Sequence, residues 1–117
     1  MRYMNTTSSQ QIVTRYFDMW NTGDTSAAAD ILGPDWLDHA HPEVEGPEGV
    51  RQSVDRVRGA RPDLRFRIDA LLGDGDLVAA VGAVEPGAGA PATRLIWLTR
   101  VRDGRMAEMW TYHGDTR

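Results

Sequence analysis

The chain has 117 residues, a formal net charge of −4 and a pI near 5.2; one core can serve that length, and phosphate backbones would find no basic face to bind. It contains no cysteine, and all 13 basic residues are arginine, which removes disulfides, thiolate nucleophiles, cysteine-bound zinc and internal lysine imines together. No stretch reaches the apolar length of a membrane span and the first ten residues lack a signal-peptide run, so the expectation is a single cytoplasmic domain over residues 1–117, with neither nucleic acid nor membrane as partner.

Ser8 and Gln11 have capping-box spacing, and Ile12, Val13, Tyr16, Phe17 and Trp20 form an apolar stripe, so a helix is predicted from about Ser9 to Asn21. Asn21-Thr22-Gly23-Asp24 ends it. Thr25 is positioned to cap a short second helix through Ala27–Leu32, which Gly33-Pro34 terminates, and Trp36–His41 reads as a short strand. Gly46-Pro47 opens a third helix with Val50, Val54 and Val57 on one face, closed between Gly59 and Pro62. Four strands follow, Leu64–Ala70, Leu77–Val84, Thr93–Arg102 and Arg105–His113, separated by glycine-rich turns. Helices first and a meander afterwards define an α+β domain, three helices covering one face of a curved, mostly antiparallel sheet.

The last hairpin is the most legible segment. Asp103-Gly104 can take the positive φ angles of a type I′ turn, and alternation then separates Leu95, Trp97 and Thr99 from Arg94, Ile96, Leu98 and Arg100. Both faces carry large apolar groups, so each needs a cover: a pocket on one side and a partner subunit on the other. The predicted pocket lining is Leu77, Ala79, Val81 and Ala83 with Leu95, Trp97, Thr99, Met109, Thr111 and His113, which suits a flat, hydrophobic small metabolite; the plainer reading is core filling. The convex face, with Ile96, Leu98, Trp110 and Tyr112, is the predicted homodimer contact, flanked by Arg94, Arg100 and Glu108.

Several short motifs occur in a fixed order: Arg15-Tyr16, Asn21-Thr22-Gly23-Asp24, Asp38-His39, Gly46-Pro47-Glu48-Gly49-Val50, Pro62-Asp63-Leu64, Gly75-Asp76-Leu77-Val78, and the run from Arg100 to Trp110. With this element order the chain resembles the nuclear-transport-factor-two-like superfamily, in its SnoaL-like polyketide cyclase and ketosteroid isomerase-like branch. The resemblance implies a cone-shaped fold enclosing a cavity. It also implies that Tyr16 stands where the isomerases carry a phenol and His39 where they carry their base. Trp97 stands where they place an acidic oxyanion donor, and His113 or Asp115 takes the position of the cyclases' late acidic residue.

Chemistry read from the residues points the same way. With lysine and cysteine absent, protons near neutral pH are moved by histidine or by a carboxylate whose pKa burial raises. His39 is the leading base candidate, Tyr16 a hydrogen-bond donor to a developing enolate, His113 a second acid–base group and Asp115 a weaker one, while Trp20 reads as wall. Each has a plain reading beside it: a rim histidine, a core aromatic, a chain-end residue. His39, His41 and His113 have the composition of a metal site, but no fourth ligand or common face supports it, so neither metal nor cofactor is expected. The leading expectation is a cofactor-independent cyclase, isomerase or dehydratase acting on a hydrophobic carbonyl compound of natural-product biosynthesis. The alternative is a non-catalytic ligand-binding or accessory dimeric module.

Overall fold

Ser8 starts the first helix by accepting a hydrogen bond from the Gln11 backbone at 3.1 Å, and the Gln11 side chain accepts one from the Ser8 N–H at 2.7 Å. The structure, a computed structural model, describes residues 8–113, so Asp115 lies outside the described residues. Helix α1 (Ser9–Thr22) buries Ile12, Val13, Tyr16, Phe17 and Met19 along one face and stops at Gly23, whose φ of 81° lets its N–H reach the Met19 carbonyl at 2.9 Å.

The next elements are tighter than the sequence pattern predicts. Helix α2 is a single turn (Ala28–Ile31), and the Thr25 side chain does not cap it. The turn before it is organised by Asp24, whose carboxylate accepts from both the N–H and the hydroxyl of Ser26. Strand β1 (Leu32–Asp38) follows at once and runs through Gly33-Pro34, which an edge strand tolerates because half its N–H groups need no ladder partner. Helix α3 (Gly46–Ala60) begins with Pro47 in its first turn and packs Val50 and Val54 inward.

Strands β2 (Arg65–Leu72), β3 (Leu77–Glu85), β4 (Thr93–Arg102) and β5 (Arg105–His113) form an antiparallel meander, and β1 adds parallel to β5, giving the order β1-β5-β4-β3-β2. The β4–β5 turn has Asp103 at φ 56° and Gly104 at 77°, the expected type I′ geometry. The α+β expectation holds: three helices lie over one face of a five-stranded open sheet. No helix among the described residues is long and apolar enough to cross a membrane.

One strand faces the other way from its predicted register. Ala80 pairs with Trp97, Val78 with Thr99 and Gly82 with Leu95, so Val78, Ala80, Gly82 and Val84 form the inner face of β3. Ala79 and Val81 pair with Leu98 and Ile96 on the outer face; their predicted place in the pocket is corrected. Both alternations of β3 are apolar, so periodicity alone cannot choose between them. The choice is made by volume, small Ala80 and Gly82 standing opposite the large Trp97 and Leu95.

Thr99 occupies the middle of this inner face, wholly buried, and among the described residues its hydroxyl has no hydrogen-bond partner. An unpaired buried hydroxyl costs more than the methyl that would replace it. Thr99→Val is therefore expected to stabilise the fold by about 1 kcal/mol, a rise of roughly 4 °C in the thermal midpoint; a lower midpoint by calorimetry would contradict it.

Candidate functional site

An open cavity of about 710 Å³ lies between the helices and the inner face of the sheet. Helix α1 contributes Tyr16, Phe17 and Trp20, one helical turn of the stripe that buries this helix. The sheet contributes Phe66, Val84, Leu95, Trp97, Met109 and Thr111. Their rings interlock: Phe17 and Trp97 centroids are 4.8 Å apart, Trp20 and Phe66 5.4 Å, Tyr16 and Phe17 5.1 Å in an edge-to-face contact. Asn21 holds this wall in place. Its amide donates to the Phe66 carbonyl at 2.9 Å and accepts from the Phe66 N–H at 2.7 Å, so a residue that reads as a helix-end cap in sequence instead pins β2 to α1.

His39 is not in this cavity. Trp36, the largest apolar side chain of β1, is 3% exposed against Tyr16, and alternation from it sends Asp38 inward and His39 outward. The His39 ring stacks on Trp110 at 4.7 Å and 8°, and its Nε2–H donates to Glu108 Oε2 at 3.0 Å on the outer face. The bond from His39, with Arg100 adding to it, holds the Glu108 carboxyl below the usual range. The expectation that His39 and His113 share a cavity is thus corrected, and with it the reading of His39 as the base there. The signal was present in the sequence: an apolar Trp36 two residues before Asp38 and three before His39 fixes which of the two faces the core.

Asp38 takes the inward place. It is 8% exposed, lines the cavity, and accepts a hydrogen bond from the Ala40 N–H at 2.9 Å. Burial pushes its carboxyl above the ordinary value; the Ala40 hydrogen bond and the nearby His41 pull the other way without reversing the direction. Tyr16 is 4% exposed, and desolvation first, then the charge of Asp38, drive its phenol well above the usual range, partly offset by the Trp20 indole N–H beside its oxygen. The phenol therefore holds its proton more tightly than usual and can donate it in a hydrogen bond, while its oxygen accepts from Trp20. A carboxyl and a phenol that both hold their protons more tightly than usual line one largely apolar chamber.

The remaining predicted residues divide by depth. Trp20, Trp97, Met109 and Thr111 line the cavity, while Thr99, on the same face, lies behind the lining. His113 pairs with Leu95 and reaches the mouth, where it is exposed, and His41 approaches from the turn after β1. The end of α3 completes the mouth with Arg56, Val57 and Ala60, together with Arg61, the residue that follows the helix. His39, His41 and His113 do not converge; among the described residues no three histidine, aspartate or glutamate side chains are grouped to hold a metal ion.

A family model described as a SnoaL-like domain matches residues 13–109. Among solved structures the chain is similar to TsrD from Streptomyces laurentii, at 26% identity over 90% of this chain and 87% of that one, with a TM-score of 0.73. It is similar to a SnoaL-like polyketide cyclase from Agrobacterium tumefaciens, at 17% identity over 93% of each chain and a TM-score of 0.73. IdmH from Streptomyces antibioticus aligns at 22% identity over 91% of each chain, with a TM-score of 0.70. No curated protein sequence matches the chain.

Proposed function

The chain belongs to the SnoaL-like domain family, and on that footing we propose that it is a cofactor-independent acid–base catalyst, removing a proton beside the carbonyl of a flat, hydrophobic metabolite. The observation that carries the proposal is the pairing of Asp38 and Tyr16 in one apolar cavity. Asp38 is the base: its raised pKa brings it closer to that of a working general base at neutral pH. Tyr16 donates a hydrogen bond to the oxygen on which the enolate charge develops, in surroundings where such a bond is stronger than in water. The protonated Asp38 then returns its proton, and ring closure, isomerisation or dehydration follows from the substrate's own functional groups. The aromatic walls of Phe17, Phe66 and Trp97 hold the ring system and keep water away from the enolate.

The direct test is deuterium exchange at the α-carbon of a tricyclic ketone in heavy water, followed by proton NMR. The wild-type chain is expected to accelerate exchange saturably, and Tyr16→Phe to slow it about 10²-fold or more, the loss typical of one oxyanion donor. Saturable binding of the ketone without any exchange would move the protein to the second reading, a hydrophobic-ligand-binding module. One observation favours that reading: Trp97 fills the wall where the isomerases it resembles present a second acid.

We propose also that the outer face of the sheet is covered by a second copy of the chain. Ile96 and Tyr112 pair with each other and are 37% and 51% exposed there, and Leu98 and Trp110 form the next outward pair. Arg94, Arg100 and Glu108 border the patch with both signs of charge, which can complement each other across a two-fold axis. Light scattering at micromolar protein is expected to give twice the 13.0 kDa chain mass, and Ile96→Glu to halve it. A monomeric mass for the unaltered chain defeats this proposal.

A further inference from the structure

The cavity has a polarity gradient that the acid–base reading does not use. Its depth is aromatic, and its mouth is basic. Arg56 of α3, Arg61 at its end, His41 and His113 are the exposed lining residues at the opening, whereas among the described residues Asp38 is the one carboxylate in the lining. His41 is paired with Glu43 at 3.6 Å. The two arginines are not so engaged. Arg58, between them in sequence, donates to the carbonyls of Pro62 and Leu64 and fastens the turn after the helix. Arg56 makes only a 3.3 Å bond to Ser53, one turn back on its own helix, and among the described residues neither Arg56 nor Arg61 has a carboxylate partner. Arg56 lies in the last turns of α3 and Arg61 is the residue that ends it, turned out of the helix at φ −138° and ψ 73°, and both border the one cavity.

We infer that the substrate is a hydrophobic carbonyl compound bearing a carboxylate, its ring system in the aromatic depth and its carboxylate at the mouth on Arg56 and Arg61. This rests on the reading of the cavity as a site for a carbonyl compound, and it deepens that reading by naming the ligand's second functional group. Guanidinium forks match carboxylate oxygens geometrically. The reverse orientation would bring the ligand's anion against Asp38, in a chamber too dry to screen the repulsion. The gradient therefore orients the ligand: the carboxylate stays outside, and the carbonyl carbon is delivered to Asp38 and Tyr16.

The test uses two probes with one skeleton, anthraquinone-2-carboxylate and its methyl ester, read by quenching of the cavity tryptophans Trp20 and Trp97. The intact chain is expected to bind the acid about tenfold more tightly than the ester, in keeping with one charge-assisted contact at a partly solvated site. In 1 M salt the preference should narrow. In the Arg56→Gln, Arg61→Gln double variant it should fall below twofold, with the ester bound as before. Equal affinity of the intact chain for acid and ester, a preference that survives in the double variant, or failure of both probes to quench would each overturn the inference. Loss of α-proton exchange with the acid preference intact overturns the catalytic reading alone. Exchange that persists while the two probes bind equally overturns this one alone.

Discussion

Asp38→Asn is expected to slow α-proton exchange by about 10²–10⁴-fold and, at neutral pH, to make the protein harder to unfold. The two effects have one cause. Burial raises the Asp38 pKa above its ordinary value of 3.8, so the folded chain holds that proton more tightly than the unfolded chain does. The resulting stabilisation is complete below the ordinary carboxylate value and is lost as pH rises through the raised folded value; above it, the ionised group is a burden on the fold. Asparagine keeps an oxygen for the Ala40 N–H and never ionises, so the variant escapes that burden. In the intact chain, kcat/KM should rise with pH through the raised Asp38 pKa, because only the ionised form accepts a proton. Thermal midpoints at pH 4 and pH 7.5 supply the second readout: the difference between variant and wild type should be larger at pH 7.5. A variant that keeps full exchange activity, or that is less stable than wild type at pH 7.5 while matching it at pH 4, would remove Asp38 from the role of base.

Gly82→Ala is expected to destabilise the fold by about 3 kcal/mol, at the upper end of overpacking costs. A Cβ at this position would stand 1.9 Å from the Arg67 carbonyl oxygen and 3.1 Å from the Ile68 Cα. Both are backbone atoms and cannot rotate aside. They belong to the stretch of β2 just before its register shift between Ile68 and Ala70, and Phe66 lies immediately upstream, clasped by Asn21. Moving β2 to admit one methyl therefore strains the Asn21 clasp and shifts the Phe66 wall of the cavity. Urea unfolding should show a lower midpoint with an unchanged slope, and quenching by the anthraquinone probes should weaken in the fraction that remains folded. A midpoint within experimental error of wild type would mean that β2 and β3 do not approach as closely as this.

Element order, the Ser8 capping box, the Asp103-Gly104 turn and the inward faces of β4 and β5 were determined by local sequence, because caps, turns and strongly alternating strands state their geometry within a few residues. The same local patterns put Tyr16 and Trp20 on one helix stripe and Trp97, Met109 and Thr111 on one sheet face, and all five line the cavity. Two short-range patterns were ambiguous. In β3 both alternations are apolar, and only pairing with β4, where Ala80 and Gly82 leave room for Trp97 and Leu95, sends Ala79 and Val81 outward. In β1 the polar pair Asp38-His39 offers two acid–base groups on opposite faces. The histidine attracts notice because its free pKa suits neutral chemistry, yet Trp36 must be buried, and a strand turned to bury Trp36 also buries Asp38. Desolvation then raises the carboxyl above its ordinary value. What only the tertiary structure decided was therefore which group is buried. Side-chain identity states a pKa in water, and the low-dielectric surroundings that change it come from residues distant in the chain.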